Sequence, residues 1–356
     1  MRRVLTAATA GVLLLLAGCS SAATDGTPSS PSSSSGTTAS AGTAATAPVN
    51  VRLGFLENIT HASALVGLKE GYFKQDLGSA GTLSPTAFST GTEETTALLA
   101  GQLDAAYVGP NPAINAWQKS GGAAIKVISG AATGGASLVV KKGITSAAQL
   151  KGQSIASPSL GNTQDVAVRW WLKQNGLATS ATGGGDVSIK PTTPNSAAVL
   201  EFESGQIAGG SEPAPYDIEM VKDGGTVLLS ETGVTTLLVV TQSFLTAHPA
   251  VVADLLKAQV QANDFIKNNP AAAQSDANAE LATYTGKPLK ASLVAAAFKE
   301  ITFTDDPDEA SLVQDAQEAT GLGLLDAVQN LPSLFDLTPL NTVLTAAGEP
   351  TVGPLS

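Results

Sequence analysis

Residues 54–73 read GFLENITHASALVGLKEGYF. The run from Val51 to Phe55 that leads into them is short and apolar, which suits a strand. From Ala62 to Glu70 the apolar residues recur at helical spacing, with Thr60 or His61 as N-cap and Gly71 as the C-terminal stop. Strand, turn and helix follow one another, and one of the chain's two histidines stands at the turn.

The same grammar returns further on. Ser154 to Ser157 reads as a strand, Pro158 to Asn162 as a loop, and Thr163 to Gln174 as a helix capped by Thr163 and ended at Asn175-Gly176. The stretch LLAGQLDAAYVGPNP (98–112) is echoed by FESGQIAGGSEPAP (202–215), and the paired glycines Gly101 and Gly205 lie 104 residues apart. Two similar α/β lobes of about a hundred residues are expected. Strands alternating with helices predict mostly parallel sheets, in which ligands sit beyond the carboxyl ends of the strands.

The loops at those ends nominate a site. In the first lobe they carry Asn58, Thr60, His61, Gly91, Thr92, Gly109 and Asn111; in the second, Gly161, Asn162, Thr163 and Glu212. Several of these loops open helices, so unpaired N–H groups and positive dipole ends would point into a shared cleft and favour an oxyanion. The stretches 53–68, 86–118, 153–168 and 191–221 contain no Lys or Arg, so neutral donors would hold it. Thr60, Thr92 and Thr163 are expected to cap helices as well. Asn111, between two prolines, either shapes a turn or meets the ligand. Glu212 is either a buried ion-pair partner or an acceptor for the ammonium of an aminosulfonate. Arg169 is expected at the surface or between the lobes. Trp170 and Trp171, adjacent on a helix, face different ways, so at least one is ordinary packing.

Catalysis and metal binding find little to work with. Cys19 is the only cysteine, so disulfides are excluded. His61 has no thiol to activate, no nucleophile-elbow motif is present, and His248 is the only other histidine to share a metal. No enzyme activity, cofactor or metal is expected.

The ends of the chain speak to location. Arg2 and Arg3 precede an apolar run, Val4 to Leu16, too short and wrongly flanked for a stable transmembrane helix, so it reads as a secretion signal. Leu16-Ala17-Gly18-Cys19 resembles the bacterial lipobox, which implies a signal peptide over residues 1–19 that ends at the lipobox cysteine, with Cys19 acylated and left as the new N-terminus once the residues before it are removed. Residues 20–48, nearly all Ser, Thr, Ala, Gly and Pro, are too poor in bulky apolar side chains to repay their ordering entropy and are expected to form a disordered tether. The expected location is the extracytoplasmic face of the cell membrane, held by lipid. A formal charge of −11 disfavours nucleic acid and anionic lipid as partners.

The order of motifs carries a resemblance. HASALVGLKEGYF (61–73), then GTEE (91–94), LLAGQLDAAYVG (98–109), GGASLVVK (134–141), QLKGQSIA (149–156) and SEP (211–213), followed by HPAVV (248–252), ITFTDDP (301–307) and DLTPLN (336–341), resembles the nitrate/sulfonate/taurine group of ABC-transporter substrate-binding proteins, above all its aliphatic-sulfonate members. The resemblance implies a type II periplasmic-binding-protein fold, two α/β lobes with a ligand cleft between them and two crossover segments, placed near Gly135 to Val140 and Leu237 to Thr241. Lobe one would hold residues 49–138 and 240–356, lobe two 139–239, and Gly135, at a crossing, joins the candidate ligand residues. It implies a monomer that captures a small anionic solute, an aliphatic sulfonate or taurine, and delivers it to an ABC permease. Nitrate or bicarbonate, a hydroxymethylpyrimidine-type precursor, or a ligand-sensing role are the alternatives. Thiamin-pyrimidine synthases share the fold but carry a cysteine cluster that this chain lacks. The chain also departs from many relatives in having no aromatic residue before Glu212-Pro213.

Overall fold

The computed structural model describes residues 48–353. The expected signal segment, Cys19 and all of the tether but Pro48 lie outside the described residues. Strands β1 (Val49–Leu56), β2 (Gly81–Phe88), β3 (Ala105–Val108) and β4 (Ile125–Gly134) begin one sheet. The chain then builds a second from β5 (Ala136–Val140), β6 (Ser154–Ser157), β7 (Ser188–Pro191), β8 (Gly209–Pro213) and β9 (Thr226–Ser230). It returns to the first with β10 (Val234–Thr241) and β11 (Ile301–Phe303). The strand orders are β11-β4-β10-β3-β1-β2 and β7-β6-β8-β5-β9. The two expected α/β lobes are present.

The sheets are mixed, not mostly parallel. β1 pairs in parallel with β2 and β3, and β6 with β7 and β8. β10 runs antiparallel to β3 and β4, and β5 antiparallel to β8 and β9. The cause is the double crossing. β4 leads out of the first lobe into β5 and β9 leads back into β10, so the outgoing and returning strands lie side by side in opposite directions.

The crossings themselves are short. All of β5 belongs to the second sheet and all of β10 to the first, so the chain changes lobe at Gly135, the first residue of the expected Gly135–Val140, and at residues 231–233, ahead of the expected Leu237–Thr241. The change of boundary follows from hydrogen bonding: Leu237 to Val240 pair with β3. Gly135, at φ +74°, cannot be replaced cheaply, because a Cβ there would lie 2.3 Å from Ile301 Cγ1.

Both faces of each sheet are covered. Along β3, Ala105 and Tyr107 join a core with Leu65, Leu255 and Leu256, whereas Ala106 and Val108 join another with Leu98, Ile114 and Trp117. This alternation to opposite faces explains why the strand is apolar at every position. In the second lobe Leu138 and Val140 face one core and Val139 the other. The motif around Asp305 is also core: its carboxylate accepts from Gln259 Nε2 at 3.1 Å and Asn263 Nδ2 at 2.9 Å, and those two side chains accept from Tyr107 OH and Ser63 Oγ, each at 2.6 Å, tying the C-terminal part to the first lobe. None of the described helices is long and apolar enough to cross a membrane.

Candidate functional site

The loops after β1, β2, β3, β6, β7 and β8 meet at a cavity of about 30 Å³ between the lobes. These are the carboxyl ends of the strands that run in parallel, the position expected for a ligand in such sheets. A cavity of this size takes a compact head group, since one water needs roughly 10–15 Å³.

Four of these loops open a helix with unused backbone donors. In the helix Gly91–Leu99, Thr90 is the N-cap and its Oγ1 accepts from Glu93 N–H, which leaves the Gly91 and Thr92 N–H groups without an intrahelical partner. In Thr163–Gln174 the cap is Asn162, whose Oδ1 accepts from Asp165 N–H at 2.9 Å, leaving those of Thr163 and Gln164. The helix Asn195–Glu203 leaves those of Asn195 and Ser196, and Pro110–Lys119, with two prolines in its first turn, only that of Asn111. No Lys or Arg lines the cavity.

The turn after β1 behaves differently. Asn58 caps a 3₁₀ turn, Ile59–His61, that runs into the helix Ala62–Lys69. Ile59 N–H donates to Ala214 O, Thr60 N–H to Asn58 Oδ1 and His61 N–H to Asn58 O. The backbone donors are consumed, and side chains take their place. Asn58 Oδ1 accepts from both Thr60 N–H (3.0 Å) and Thr60 Oγ1 (2.7 Å), which fixes the amide so that its NH₂ remains as a donor. His61 Nδ1 accepts from Leu56 N–H at 3.2 Å, which assigns the ring proton to Nε2. Burial pushes the imidazole pKa down to about 3, so His61 is neutral at physiological pH.

The lobes touch across the cavity. A Cβ on Gly109 would lie 2.6 Å from Thr163 Oγ1, so the glycine is what lets the two helix openings approach. Thr92 Oγ1 and Ser159 Oγ are 3.2 Å apart, and Tyr216 OH donates to Glu57 O at 3.2 Å.

Of the twelve residues nominated from sequence, Asn58, Thr60, His61, Gly91, Gly109, Asn162 and Thr163 line the cavity. The side chain of Thr92 is at the exposed interlobe rim instead, and that of Asn111 donates to Asp315 O at 3.4 Å. Gly135 forms the crossing, and Gly161, at φ +78°, donates its N–H to Asp165 Oδ2 at 2.7 Å. Glu212 lies in the second lobe's interior, with both carboxylate oxygens unpartnered; burial, with Asp217 and Glu201 nearby, raises its pKa well above the usual range. Strand alternation turns Glu212 away from the face on which Ser211 meets the helix Thr163–Gln174. His61 holds the N-cap position of Ala62–Lys69, as one of the two expected alternatives, but makes no side-chain cap bond; the capping side chains are Asn58, Thr90 and Asn162 in place of Thr60, Thr92 and Thr163, because a cap must stand two or three residues before the N–H it receives.

Arg169 is a further correction: it is fully buried, its Nε 2.8 Å from Asp165 Oδ2. Asp165 in turn holds Gly161 N–H and Ser157 Oγ, so the pair props the loop that borders the cavity. Burial, the dominant influence, raises the Asp165 pKa against the pull of Arg169.

Thr90 and Gln164, from the same loops as the nominated Gly91 and Thr163, also line the cavity, and Asn195 and Thr235 line it without having been singled out. Asn195, directly after Thr193-Pro194 and a strand, carried a legible helix-start signal. Thr235, inside an apolar strand, carried none.

A family model for the NMT1-like family matches residues 44–282, more than half of the chain. The chain belongs to the NMT1-like family. The chain matches no curated protein in sequence. Its fold is that of periplasmic binding proteins of the sulfonate and nitrate group, the group its motifs resemble. The alkanesulfonate-binding protein SsuA from Xanthomonas axonopodis pv. citri, bound to MOPS, is 17% identical with a TM-score of 0.68, over 82% of this chain and 99% of that one. The nitrate-binding protein NrtA from Synechocystis PCC 6803 is 12% identical with a TM-score of 0.71, over 84% and 89%. A ligand-binding component of an ABC-type import system from Staphylococcus aureus, with zinc bound, is 14% identical with a TM-score of 0.66, over 82% and 98%. Among the described residues of this chain no group of three or more His, Cys, Asp or Glu is placed to hold a metal ion.

Proposed function

We propose that this protein is an extracytoplasmic solute-binding protein of an ABC importer that captures a small oxyanion, an aliphatic sulfonate or taurine. The observation that carries this reading is the cation-free convergence of helix openings and neutral side-chain donors on one interlobe cavity. Such donors suit a permanently ionised, weakly basic anion, whose charge is spread over several oxygens and needs no proton or counter-charge from the protein. The seven lining residues nominated from sequence act as the head-group shell: His61 donates through Nε2, Asn58 through its amide, and Gly91, Thr163 and their neighbours through backbone N–H.

Ligand would act by population shift, stabilising the arrangement in which Gly109 meets Thr163 over one in which the lobes part. The permease would read that closed form. Lobe one is assigned residues 49–134 and 234 onward, and lobe two 136–230, with a monomer as the functional unit. Acylation of Cys19 would hold the body at the membrane; detergent partitioning of the full-length protein against a Cys19→Ser variant tests that assignment.

Calorimetry against ethanesulfonate, taurine, nitrate and a hydroxymethylpyrimidine tests the ligand class. Sulfonate binding is expected; tight pyrimidine binding with no sulfonate heat defeats the reading. Nitrate is a second reading, favoured by the small volume of the cavity, and is distinguished by binding nitrate but no sulfonate.

A further inference from the structure

A second, larger cavity of about 560 Å³ adjoins the first, and Thr163 borders both. Its lobe-two wall is the helix Thr163–Gln174, with Ala167, Trp170 and Trp171 one and two turns from Thr163; although adjacent residues on a helix point in different directions, both indoles border this cavity. Its lobe-one wall is the helix Glu309–Gly321, and its floor is the second crossing, 231–233.

The charges there have one sign. Glu231 on the crossing and Asp308, Asp315 and Glu318 on the helix Glu309–Gly321 and its N-cap line the cavity, and no Lys, Arg or His does. Glu231 and Asp315 are half-buried as residues, yet Oε1 of the one and Oδ2 of the other are sealed from solvent without a hydrogen-bond partner. Burial, then Asp217 and Glu318, push Glu231 up to about 8; burial, then Glu318, Glu231 and Asp308, push Asp315 well above its usual range. Sealed, unpartnered carboxyl oxygens among like charges are costly as carboxylates, and either a proton or a bound cation relieves that cost.

The arrangement selects the cation. The acids do not converge as a metal centre, since no such grouping is present among the described residues. Two indoles in the wall suit a soft organic ammonium, and Trp170 already carries the Lys173 ammonium 5.3 Å from its ring centre, outside the lining. Trp171 packs partly on the second lobe's core and presents the rest of its ring here.

We propose that this cavity is a binding site for an organic ammonium, held between Trp170 and Trp171 on one lobe and Glu231 and Asp315 on the crossing and the other lobe. The ammonium is the amino end of an aminosulfonate whose head group lies beyond Thr163, or a separate amine. The first source rests on the function proposed above; the second does not. Because both lobes supply walls, a cation here would also bind them together.

The test is tryptophan fluorescence and calorimetry of the mature protein with four probes: ethylammonium, choline, ethanesulfonate and 3-aminopropanesulfonate. The expected result is a saturable response to an ammonium-bearing probe, weakened about tenfold in Glu231→Gln/Asp315→Asn, with ethanesulfonate affinity unchanged in that variant. If the aminosulfonate exceeds ethanesulfonate about tenfold while ethylammonium and choline give nothing, the ammonium belongs to the solute. A response to ethylammonium or choline alone assigns a separate amine. Absence of a saturable response to every ammonium probe overturns the inference, as does a response that the double variant leaves unchanged. Ethanesulfonate heat without any amine effect would overturn it and leave the sulfonate reading standing; amine binding without sulfonate heat would do the reverse.

Discussion

The turns after β1 and β6 open helices toward one cavity and both use an asparagine cap, yet they offer different chemistry. After β6, Asn162 takes only Asp165 N–H, and the Thr163 and Gln164 backbone donors remain. After β1, the 3₁₀ turn and Ala214 O consume the backbone donors of Ile59, Thr60 and His61, and the His61 and Asn58 side chains replace them. The second turn is braced from beneath by the Arg169–Asp165 pair, the first by neutral hydrogen bonds alone. One strand–turn–helix grammar can therefore yield a backbone donor set or a side-chain donor set, according to which carbonyls the turn meets.

Five measurements would break or sharpen that contrast. The largest effect is expected from Arg169→Ala, which strands a buried carboxylate and costs about 3–5 kcal/mol by denaturant titration; the Asp165→Ala/Arg169→Ala double variant should recover part of this. Recovery of nothing would mean that Arg169 matters only as packing. Gly109→Val forces a branched β-carbon against Thr163 Oγ1 and should weaken oxyanion binding by about 1–3 kcal/mol, with the unfolding midpoint little changed. An unaltered affinity would show that the two helix openings need not touch.

The third concerns pH. His61 binds a proton in the unfolded chain below about 6.5 but in the folded protein only near 3, so the unfolded state gains protons first. Its contribution is complete above about 6.5 and is lost as pH falls through that window toward 3, at roughly 1.4 kcal/mol per pH unit. The stability difference between wild type and His61→Gln should follow that slope; a flat difference would mean that the imidazole is not held neutral by burial. At constant pH, His61→Ala should weaken oxyanion binding by about 0.5–1.5 kcal/mol, the worth of one hydrogen bond. The smallest change is expected for Thr163→Ala, under about 0.5 kcal/mol in affinity, because the backbone N–H survives the substitution. A loss as large as that of His61→Ala would put the Thr163 hydroxyl, not the backbone, in contact with the ligand.

Much of this was legible in the residues. Apolar runs at Val51–Phe55 and Ser154–Ser157, the stop glycines and the echo between 98–112 and 202–215 specified two α/β lobes, because strand and helix periodicities are local properties. The absence of Lys and Arg near the turns specified an uncharged site. The expectations failed where the answer lay in partners distant along the chain. Glu212 looked like a ligand residue, but the alternation of β8 turns it into the interior of its lobe. Arg169 looked superficial, but Asp165 one turn earlier and Ser180 O draw it inside.

By itself, then, the sequence determined the elements, their order and the neutral, anion-seeking character of the turns, all of which follow from periodicity, capping chemistry and composition. Only the tertiary structure decided which N–H groups stay unpaired, where the chain crosses between lobes, and that Trp170, Glu231 and Asp315 share a cavity. These are outcomes of long-range pairing: Ala214 beside Ile59, β10 between β3 and β4, and the helix Glu309–Gly321 against the helix Thr163–Gln174.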